Sequence, residues 1–212
     1  MLYRTLFFDL DDTLYPHTAG LWEAIRHRMD LYMVERLGLT EEAVAPLRAY
    51  YLETYGTTLR GLQNHYHVDA QDFLAYVHDL PLEQFLLPNP ALSHVLSSLP
   101  QQRWIFTNAD IHHARRVLAV IGLTQCFHGI IDVNALNFVP KPDPQAYLQA
   151  LALAQADVKS SIIFDDAARN LRPAVQLGFT TVLVAPEPVD GFSIHLTSLD
   201  YLPQIMPILW QR

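Results

Sequence analysis

Short apolar runs rich in β-branched and aromatic residues recur along the chain, and each predicts a buried strand. They are LYRTLFF up to Asp9, RWIFTN up to Asn108, HGIIDV up to Val133, SSIIFDD up to Asp166 and TTVLVAP up to Pro186. Helical patterns separate the later runs, namely HHARRVLAVIGL, DPQAYLQALALAQA and NLRPAVQLGF. This alternation with short connections predicts an α/β fold with a doubly wound parallel sheet and right-handed crossovers. Unbroken apolar strands agree, because such sheets are covered on both faces.

The segment between the first and second apolar runs has a different pattern. From Tyr15 to about Phe85 it offers no strand but three helical stretches, TAGLWEAIRHRMDLYMVERLG, TEEAVAPLRAYYLETYG and DAQDFLAYVHDL. Connections between a strand and the next helix are usually only a few residues long, so this segment predicts an inserted helical subdomain that acts as a lid. We expect residues 1–14 and 86–212 to form a catalytic core and residues 15–85 to form a helical cap.

Composition and net charge limit the classes of protein to which this chain can belong. The chain has 212 residues, half of them hydrophobic, which suffices for one globular core with an insertion. Its formal net charge of -8 opposes general binding to nucleic acid polymers or anionic membranes. Cys126 is the only cysteine, which excludes a disulfide framework, and the amino terminus lacks a signal-peptide pattern. Because no apolar run is long enough to span a bilayer, we expect a cytoplasmic protein.

Acidic residues gather where the first predicted strand ends. The stretch FFDLDDT places Asp9, Asp11 and Asp12 within four residues. A buried carboxylate costs several kcal/mol unless it is paired or binds a metal, although a solvated turn with a helix cap would also explain these residues.

Chemically useful side chains follow the other predicted strands as well. Ligands bind outside the carboxyl ends of strands in open α/β sheets, so residues at these ends are expected to share one site. Each alone has a structural explanation, such as a cap, a turn or a solvated lysine, but their convergence predicts a functional site. The residues are Asp9, Asp11, Thr13, Thr107, Asn108, Lys141, Asp165 and Asp166.

These motifs together resemble the phosphatase branch of the haloacid dehalogenase superfamily, along the whole chain. DLDDT is similar to the family's DxDxT motif, FTNAD to its second motif, KPDP with Lys141 to its third and FDDAARN to its acidic fourth. A helical insertion after the first strand resembles the family's first cap type. Pyrimidine 5'-nucleotidase-like members are similar in LDDTLYP, YGTTLRGL, IFTNAD, HARRVL and FDDAARN.

The residue types suit hydrolysis of a phosphate monoester. Asp9 can attack phosphorus and form an aspartyl phosphate, which splits one difficult displacement into two easier ones. Asp11 would protonate the leaving oxygen and later deprotonate the attacking water. Thr107, backbone N–H groups near Asn108, and Lys141 would hold the phosphoryl oxygens.

A divalent cation completes this expected chemistry. We expect Mg²⁺ to be held by the Asp9 carboxylate, the Asp11 backbone carbonyl and Asp166, with Asp165 nearby. Two other classes share parts of the pattern. A dehalogenase of the same fold needs neither the acid at position 11 nor a metal, and a phospho-acceptor receiver domain has its acid pair before its acceptor strand. A phosphomutase shares every core motif and stays open.

The cap is expected to choose what is attached to the phosphate. Candidate substrate-selecting residues are Tyr15, Tyr55, Arg60 and Asn64, which lie beside the first motif or in the polar YGTTLRGLQNHYH connection. Arg60 could instead pair with a cap carboxylate. Because YGTTLRGL resembles the nucleotidase branch and an arginine presents paired donors to a planar acceptor, the resemblance implies 5'-nucleoside monophosphates as substrates, with UMP or CMP preferred. The expected partner is a small phosphorylated metabolite, and the pattern leaves the oligomeric state open.

Overall fold

The computed structural model describes residues 2–211 and contains a six-stranded sheet, which confirms the α/β prediction. The strands are β1 (Thr5–Phe8), β2 (Gln102–Phe106), β3 (Gly129–Ile131), β4 (Ser161–Asp165), β5 (Thr180–Val184) and β6 (His195–Leu196). They lie in the order β3-β2-β1-β4-β5-β6, and every pair of neighbours is parallel. The strand order reverses between β1 and β4, so ligand chemistry is expected at the carboxyl ends of these two strands.

Nine α-helices occur within residues 2–211. They are α1 (Leu21–Glu35), α2 (Glu41–Tyr55), α3 (Thr58–Tyr66), α4 (Ala70–Val77), α5 (Pro90–Ser98), α6 (Ile111–Ile121), α7 (Pro144–Leu153), α8 (Ala168–Leu177) and α9 (Leu202–Ile205). None of these helices combines the length and the apolar character that crossing a membrane requires.

The chain divides into two compact units. The sheet unit comprises Met1–Ala19 and Leu86–Arg212, and the helical unit comprises Gly20–Phe85. Residues 15–19, which the sequence pattern assigned to the cap, therefore belong with the sheet. Tyr15 shows a physical reason at the start of this stretch, since it is only 6% exposed and its hydroxyl donates to Asp11 of the sheet unit.

The core of the sheet unit is built on the central strands. All four residues of β1 are buried, since β2 and β4 pair with it on either side and its side chains lie in the core. Phe7 packs edge-to-face against Phe106 and Phe179, with ring centroids 6.2 and 6.1 Å apart. Burying aromatic rings in this way supplies much of the apolar stabilisation. The rigid sheet then fixes the positions of the residues that follow each strand.

Three helices of the sheet unit, α5, α6 and α7, start with a side-chain cap. Asp110 accepts hydrogen bonds from the backbone N–H groups of His112 and His113 at 2.8 and 3.0 Å, which fixes the first turn of α6. The same helix ends at Gly122, whose φ of 77° lies in the left-handed region that glycine adopts without strain. The first turn of α6 is thereby held in a defined place after β2.

Three elements of the structure were not predicted from the sequence, namely α3, β6 and the short C-terminal helix α9. The segment YGTTLRGLQNHYH was interpreted as a polar connection, but it contains α3, in which Thr57 caps the helix by accepting from Arg60 N. Leu59 and Leu62 are buried on one face of α3, and this short apolar stripe is hard to recognise among polar neighbours. The strand β6 was not predicted, because its two residues give no periodicity.

Candidate active site

Asp9 stands directly after β1 and faces the end of β4. Strands β1 and β4 pair in parallel with Phe8 opposite Phe164, so the next residues, Asp9 and Asp165, follow side by side. The N–H of Asp9 donates to the Phe164 carbonyl at 2.8 Å, which extends the ladder to the acid itself. A strand that continues this far gives the Asp9 carboxylate little freedom.

A buried lysine joins the two acids. Lys141 Nζ donates to Asp9 Oδ1 at 2.7 Å and to Asp165 Oδ2 at 2.6 Å, while the lysine is only 1% exposed. Burial alone would lower the pKa of Lys141, but the charges of Asp165 and Asp9 outweigh it and raise that pKa. The lysine is therefore a permanent cation beside Asp9, and pairing makes its burial tolerable.

The loops after β2 and β3 hold this lysine in place. Asn108 uses both ends of its side-chain amide on the Lys141 backbone, donating to the carbonyl at 2.9 Å and accepting from the N–H at 2.8 Å. Thr107 is 1% exposed, and its hydroxyl oxygen accepts from Ala109 N at 3.0 Å. Thr107 and Asn108 thus lie close to Lys141 at the edge of the sheet formed by the carboxyl ends of its strands, as the strand-end pattern predicts. This edge is called the rim below.

Asp165 is saturated by bonds from its surroundings. Its Oδ1 accepts from Ala167 N and Asn170 Nδ2, both at 2.9 Å, while its Oδ2 accepts from Lys141. Thr13 Oγ1 accepts from Asp166 N at 3.0 Å and lies 3.5 Å from Asp9 Oδ2. The DLDDT segment is thereby tied to the loop after β4.

Three carboxylates meet at this rim. One oxygen each of Asp9, Asp165 and Asp166 lies within 4.8 Å of the others. Burial first, and then the neighbouring acids, raise the pKa of Asp166 to about 8, and burial raises the pKa of Asp9 to about 7 against the opposing effect of Lys141. Holding like charges this close is unfavourable without a cation.

The donor set fits a hard divalent cation. Carboxylate oxygens are what Mg²⁺ prefers, and among residues 2–211 no hydrogen bond or ion pair reaches the Asp166 carboxylate. Both carboxylate oxygens of Asp165 already accept hydrogen bonds, from Lys141, Ala167 and Asn170. The carboxylates that would hold Mg²⁺ are therefore those of Asp9 and Asp166, beside the expected Asp11 backbone carbonyl, with Asp165 orienting the lysine.

Asp11 is held separately from these three acids. Its Oδ1 accepts from the Tyr15 hydroxyl at 2.6 Å and lies 2.9 Å from His113 Nε2. The Asp11 side chain is 13% exposed, whereas that of His113 is completely buried. The Asp11 side chain is thus partly accessible to solvent, while its Oδ1 is held by contacts to Tyr15 and His113.

Comparison with known families identifies the family of this chain. The model of the haloacid dehalogenase-like hydrolases matches residues 3–178, which span the sheet ends just described and the helical unit. The chain belongs to this hydrolase family. The hydrolase is also similar to "Phosphate metabolism protein 8" of Saccharomyces cerevisiae, with 25% identity over 213 residues. That alignment covers 93% of this chain and only 66% of the length of the yeast protein.

Solved structures share the fold of the hydrolase at low identity. L-2-haloacid dehalogenase from Xanthobacter autotrophicus is 17% identical with a TM-score of 0.63, covering 97% of this chain and 98% of that one. A putative HAD-hydrolase from Bacillus subtilis bound to magnesium is 20% identical with a TM-score of 0.61, covering 97% and 99%. A HAD phosphatase from Thermococcus onnurineus is 18% identical with a TM-score of 0.63, covering 96% and 97%. The fold therefore occurs both in a dehalogenase and in a phosphatase.

The proposed substrate-selecting residues of the hydrolase fall into different surroundings. Tyr15 belongs to the sheet unit, where its hydroxyl donates to Asp11. Tyr55, Arg60 and Asn64 belong to the helical unit. There the Tyr55 hydroxyl bonds to His65 Nε2 at 2.8 Å, Arg60 is half-buried in the first turn of α3, and Asn64 is exposed.

Two site residues were not assigned a role from the sequence. Thr13 joins Asp9 to the loop of Asp166, and its signal was its place inside DLDDT. His113 reaches Asp11 from α6, and its only signal was a position in the first turn of a helix after a site-forming strand. A lone histidine in an apolar helix more often belongs to the core, so pattern alone did not single it out.

Proposed function

We propose that this hydrolase cleaves phosphate monoesters by transferring the phosphoryl group first to Asp9 and then to water, with Mg²⁺ bound. The observation that carries the proposal is the position of Asp9 between a buried lysine and an unpaired carboxylate. Lys141 donates to Asp9 Oδ1, and Asp166 completes a group of acids within 4.8 Å. Such a site suits a substrate that brings several negative oxygens.

Asp9 acts as the nucleophile. One of its oxygens forms a bond to phosphorus while the bond between phosphorus and the ester oxygen breaks, and the leaving oxygen takes a proton from the Asp11 carboxylic acid. Asp11, now a carboxylate, then takes a proton from the attacking water. The new bond between that water oxygen and phosphorus releases inorganic phosphate and restores the Asp9 carboxylate.

The surrounding groups neutralise the transferred phosphoryl group. Lys141 remains charged throughout, because Asp165 and Asp9 raise its pKa. Thr107 and the backbone N–H of Asn108 lie on the same rim as Lys141 and donate to phosphoryl oxygens. When bound, Mg²⁺ supplies further positive charge at these oxygens. Asn108 also serves through its side chain, which fixes the Lys141 backbone.

Hydrolysis of a carbon–halogen bond is the rival chemistry, because dehalogenases share this fold. That reaction has no ester oxygen to protonate, so it gives no purpose to Asp11 with its two fixed partners. Nor does it explain why Asp166 is held near Asp9 and Asp165 at an energetic cost. Asp11 and Asp166 therefore favour the phosphatase over the dehalogenase.

For the substrate we propose 5'-nucleoside monophosphates, with UMP or CMP preferred over AMP or GMP. The support is the resemblance of YGTTLRGL and its neighbouring motifs to the nucleotidase branch, together with the chemistry of Arg60. Arg60 supplies paired donors for a pyrimidine carbonyl, and Tyr55 offers an aromatic face for a ring.

A phosphate-release screen tests the proposal. The purified protein is assayed with Mg²⁺ or with EDTA against the four common nucleoside monophosphates, small sugar phosphates and p-nitrophenyl phosphate. Chloride release from 2-chloropropionate is measured in parallel, with Asp9→Asn as the matched inactive variant. We expect Mg²⁺-dependent phosphate release and no chloride. Chloride without phosphate would overturn the proposed function, and a preference for sugar phosphates would overturn only the nucleotide substrate.

A further inference from the structure

We propose that Tyr15 and His113 are positioning residues that hold one oxygen of Asp11, so that its other oxygen serves the leaving group. This inference rests on the proposed function and adds two residues to its machinery. It replaces the expectation that Tyr15 selects the substrate.

The geometry places two partners on a single atom. Tyr15 Oη donates to Asp11 Oδ1 at 2.6 Å, and His113 Nε2 lies 2.9 Å from the same oxygen. Asp11 and Tyr15 are four residues apart, but His113 comes from a different element, the first turn of α6. Two contacts from separate parts of the sheet unit fix the carboxyl plane more firmly than either alone.

Each partner is itself fixed by its surroundings. The His113 side chain is completely buried, and its backbone N–H is capped by Asp110 at 3.0 Å. Tyr15 is 6% exposed. Burial and then the charge of Asp11 raise the pKa of Tyr15 well above its usual value, so its hydroxyl keeps its proton and stays a donor. Neither side chain can turn away without leaving a buried polar group unpaired, which is costly.

The consequence concerns where the transferable proton lies. A carboxyl oxygen that accepts from a tyrosine hydroxyl and from a histidine N–H is a poor place for the acid's own proton, because three hydrogens would crowd one atom. The contact to His113 requires the tautomer that carries a proton on Nε2. With Oδ1 occupied in this way, the proton that leaves with the ester oxygen resides on Oδ2, and Oδ2 also takes the proton of the attacking water.

Leaving-group dependence distinguishes this role from a structural one. An alkyl phosphate needs a proton from Asp11 as its ester bond breaks, whereas p-nitrophenolate leaves as a stable anion. We expect Tyr15→Phe and His113→Leu each to lower kcat/KM for an alkyl phosphate about tenfold or more beyond any loss for p-nitrophenyl phosphate. His113→Gln, which places an amide N–H near the position of Nε2, should recover part of the alkyl phosphate rate.

A matched control excludes general effects of losing a tyrosine hydroxyl. Tyr32 in the helical unit is 4% exposed and donates to Asp72 Oδ2 at 2.8 Å, so Tyr32→Phe deletes the same kind of bond elsewhere. We expect Tyr32→Phe to leave the ratio of the two kcat/KM values unchanged. Melting temperatures of all variants report any loss of folding. If the His113 variants do not fold, Tyr15→Phe still tests the inference, because it removes only one oxygen atom.

A double-mutant cycle completes the test. In an Asp11→Asn background the acid is already lost, so adding Tyr15→Phe should change kcat/KM for the alkyl phosphate little further. Equal losses on both substrates, or full additivity with Asp11→Asn, would overturn the positioning role. Because the wild-type protein is measured on both substrates first, a failure of the proposed phosphatase function appears there as absent turnover and is distinguished from a failure of this inference.

Discussion

The sheet unit and the helical unit differ in how deeply they bury their ion pairs. In the sheet unit, charges are brought inside, and Lys141 with Asp165 forms an ion pair in which both side chains are almost completely buried. In the helical unit, the Arg48–Asp30 ion pair keeps contact with water, with side chains that are 20% and 33% exposed. An ion pair that keeps contact with water loses little solvation free energy on folding and adds little to stability.

This difference separates residues that serve chemistry from residues that serve folding. Replacing a buried ion pair with well-packed apolar groups is often neutral or stabilising, so stability alone does not explain the charges around Asp9. A partly exposed ion pair such as Arg48–Asp30 is an ordinary feature of a helical surface. Substitutions in the two units should therefore fail in different ways.

The largest expected effect comes from Asp9→Asn. Asparagine keeps an oxygen acceptor for Lys141 but cannot form the phosphoryl intermediate, so turnover should disappear while the fold remains. Phosphate release and thermal melting at pH 8 measure both properties. A melting temperature equal to or above that of the wild type is expected, because one repelling carboxylate is gone. Appreciable phosphatase activity in this variant would contradict the role of Asp9.

The next effect separates proton transfer from metal binding within the sheet unit. Asp11→Asn should lower kcat for nucleotides about 10²- to 10⁴-fold with little change in Mg²⁺ affinity. Asp166→Ala should weaken Mg²⁺ binding itself, because its side chain is one of the two carboxylates proposed to bind the ion. Isothermal titration with Mg²⁺ and activity at rising Mg²⁺ distinguish the two defects. Rescue of Asp11→Asn by added Mg²⁺, with Asp166→Ala indifferent to it, would reverse the assignment.

A smaller effect links pH to the stability of the metal-free protein. The pKa values of Asp9 and Asp166 are raised from 3.8 to about 7 and about 8, so the folded chain binds more protons than the unfolded chain between these limits. Stability in EDTA should therefore fall as pH rises from about 4 to about 8. Urea unfolding should show a shallower fall for Asp166→Asn than for the exposed control Asp190→Asn. Identical slopes for the two variants would contradict the raised pKa of Asp166.

The smallest expected effect belongs to the helical unit. Arg60→Ala should raise KM for UMP and CMP severalfold but leave KM for p-nitrophenyl phosphate nearly unchanged, because the aryl ester lacks the pyrimidine carbonyl that the arginine would bind. Steady-state kinetics on these three substrates provide the measurement. An equal change for all of them would indicate that Arg60 supports only folding.

The two units also differ in how far their features can be predicted from sequence. Asp9, Thr107 and Asp166 directly follow apolar strands, and Lys141 lies in the loop after β3, so parallel topology predicts that they share one edge of the sheet. The bonds of Asn108 to the Lys141 backbone and of His113 to Asp11 depend on loop and helix geometry that no periodicity encodes. In the helical unit, α3 was missed because its apolar stripe is short.

The central claim is that Asp9 receives the phosphoryl group, and a rapid-quench experiment on Asp11→Asn tests it most directly. With p-nitrophenyl phosphate and Mg²⁺ the first step needs no acid, while the second step lacks its base, so the intermediate should accumulate. We predict a burst of about one p-nitrophenolate per protein molecule, with mass spectrometry placing one phosphoryl group on Asp9. Release without a burst and without a phosphoryl group on Asp9, or a phosphoryl group on another residue, would contradict the account.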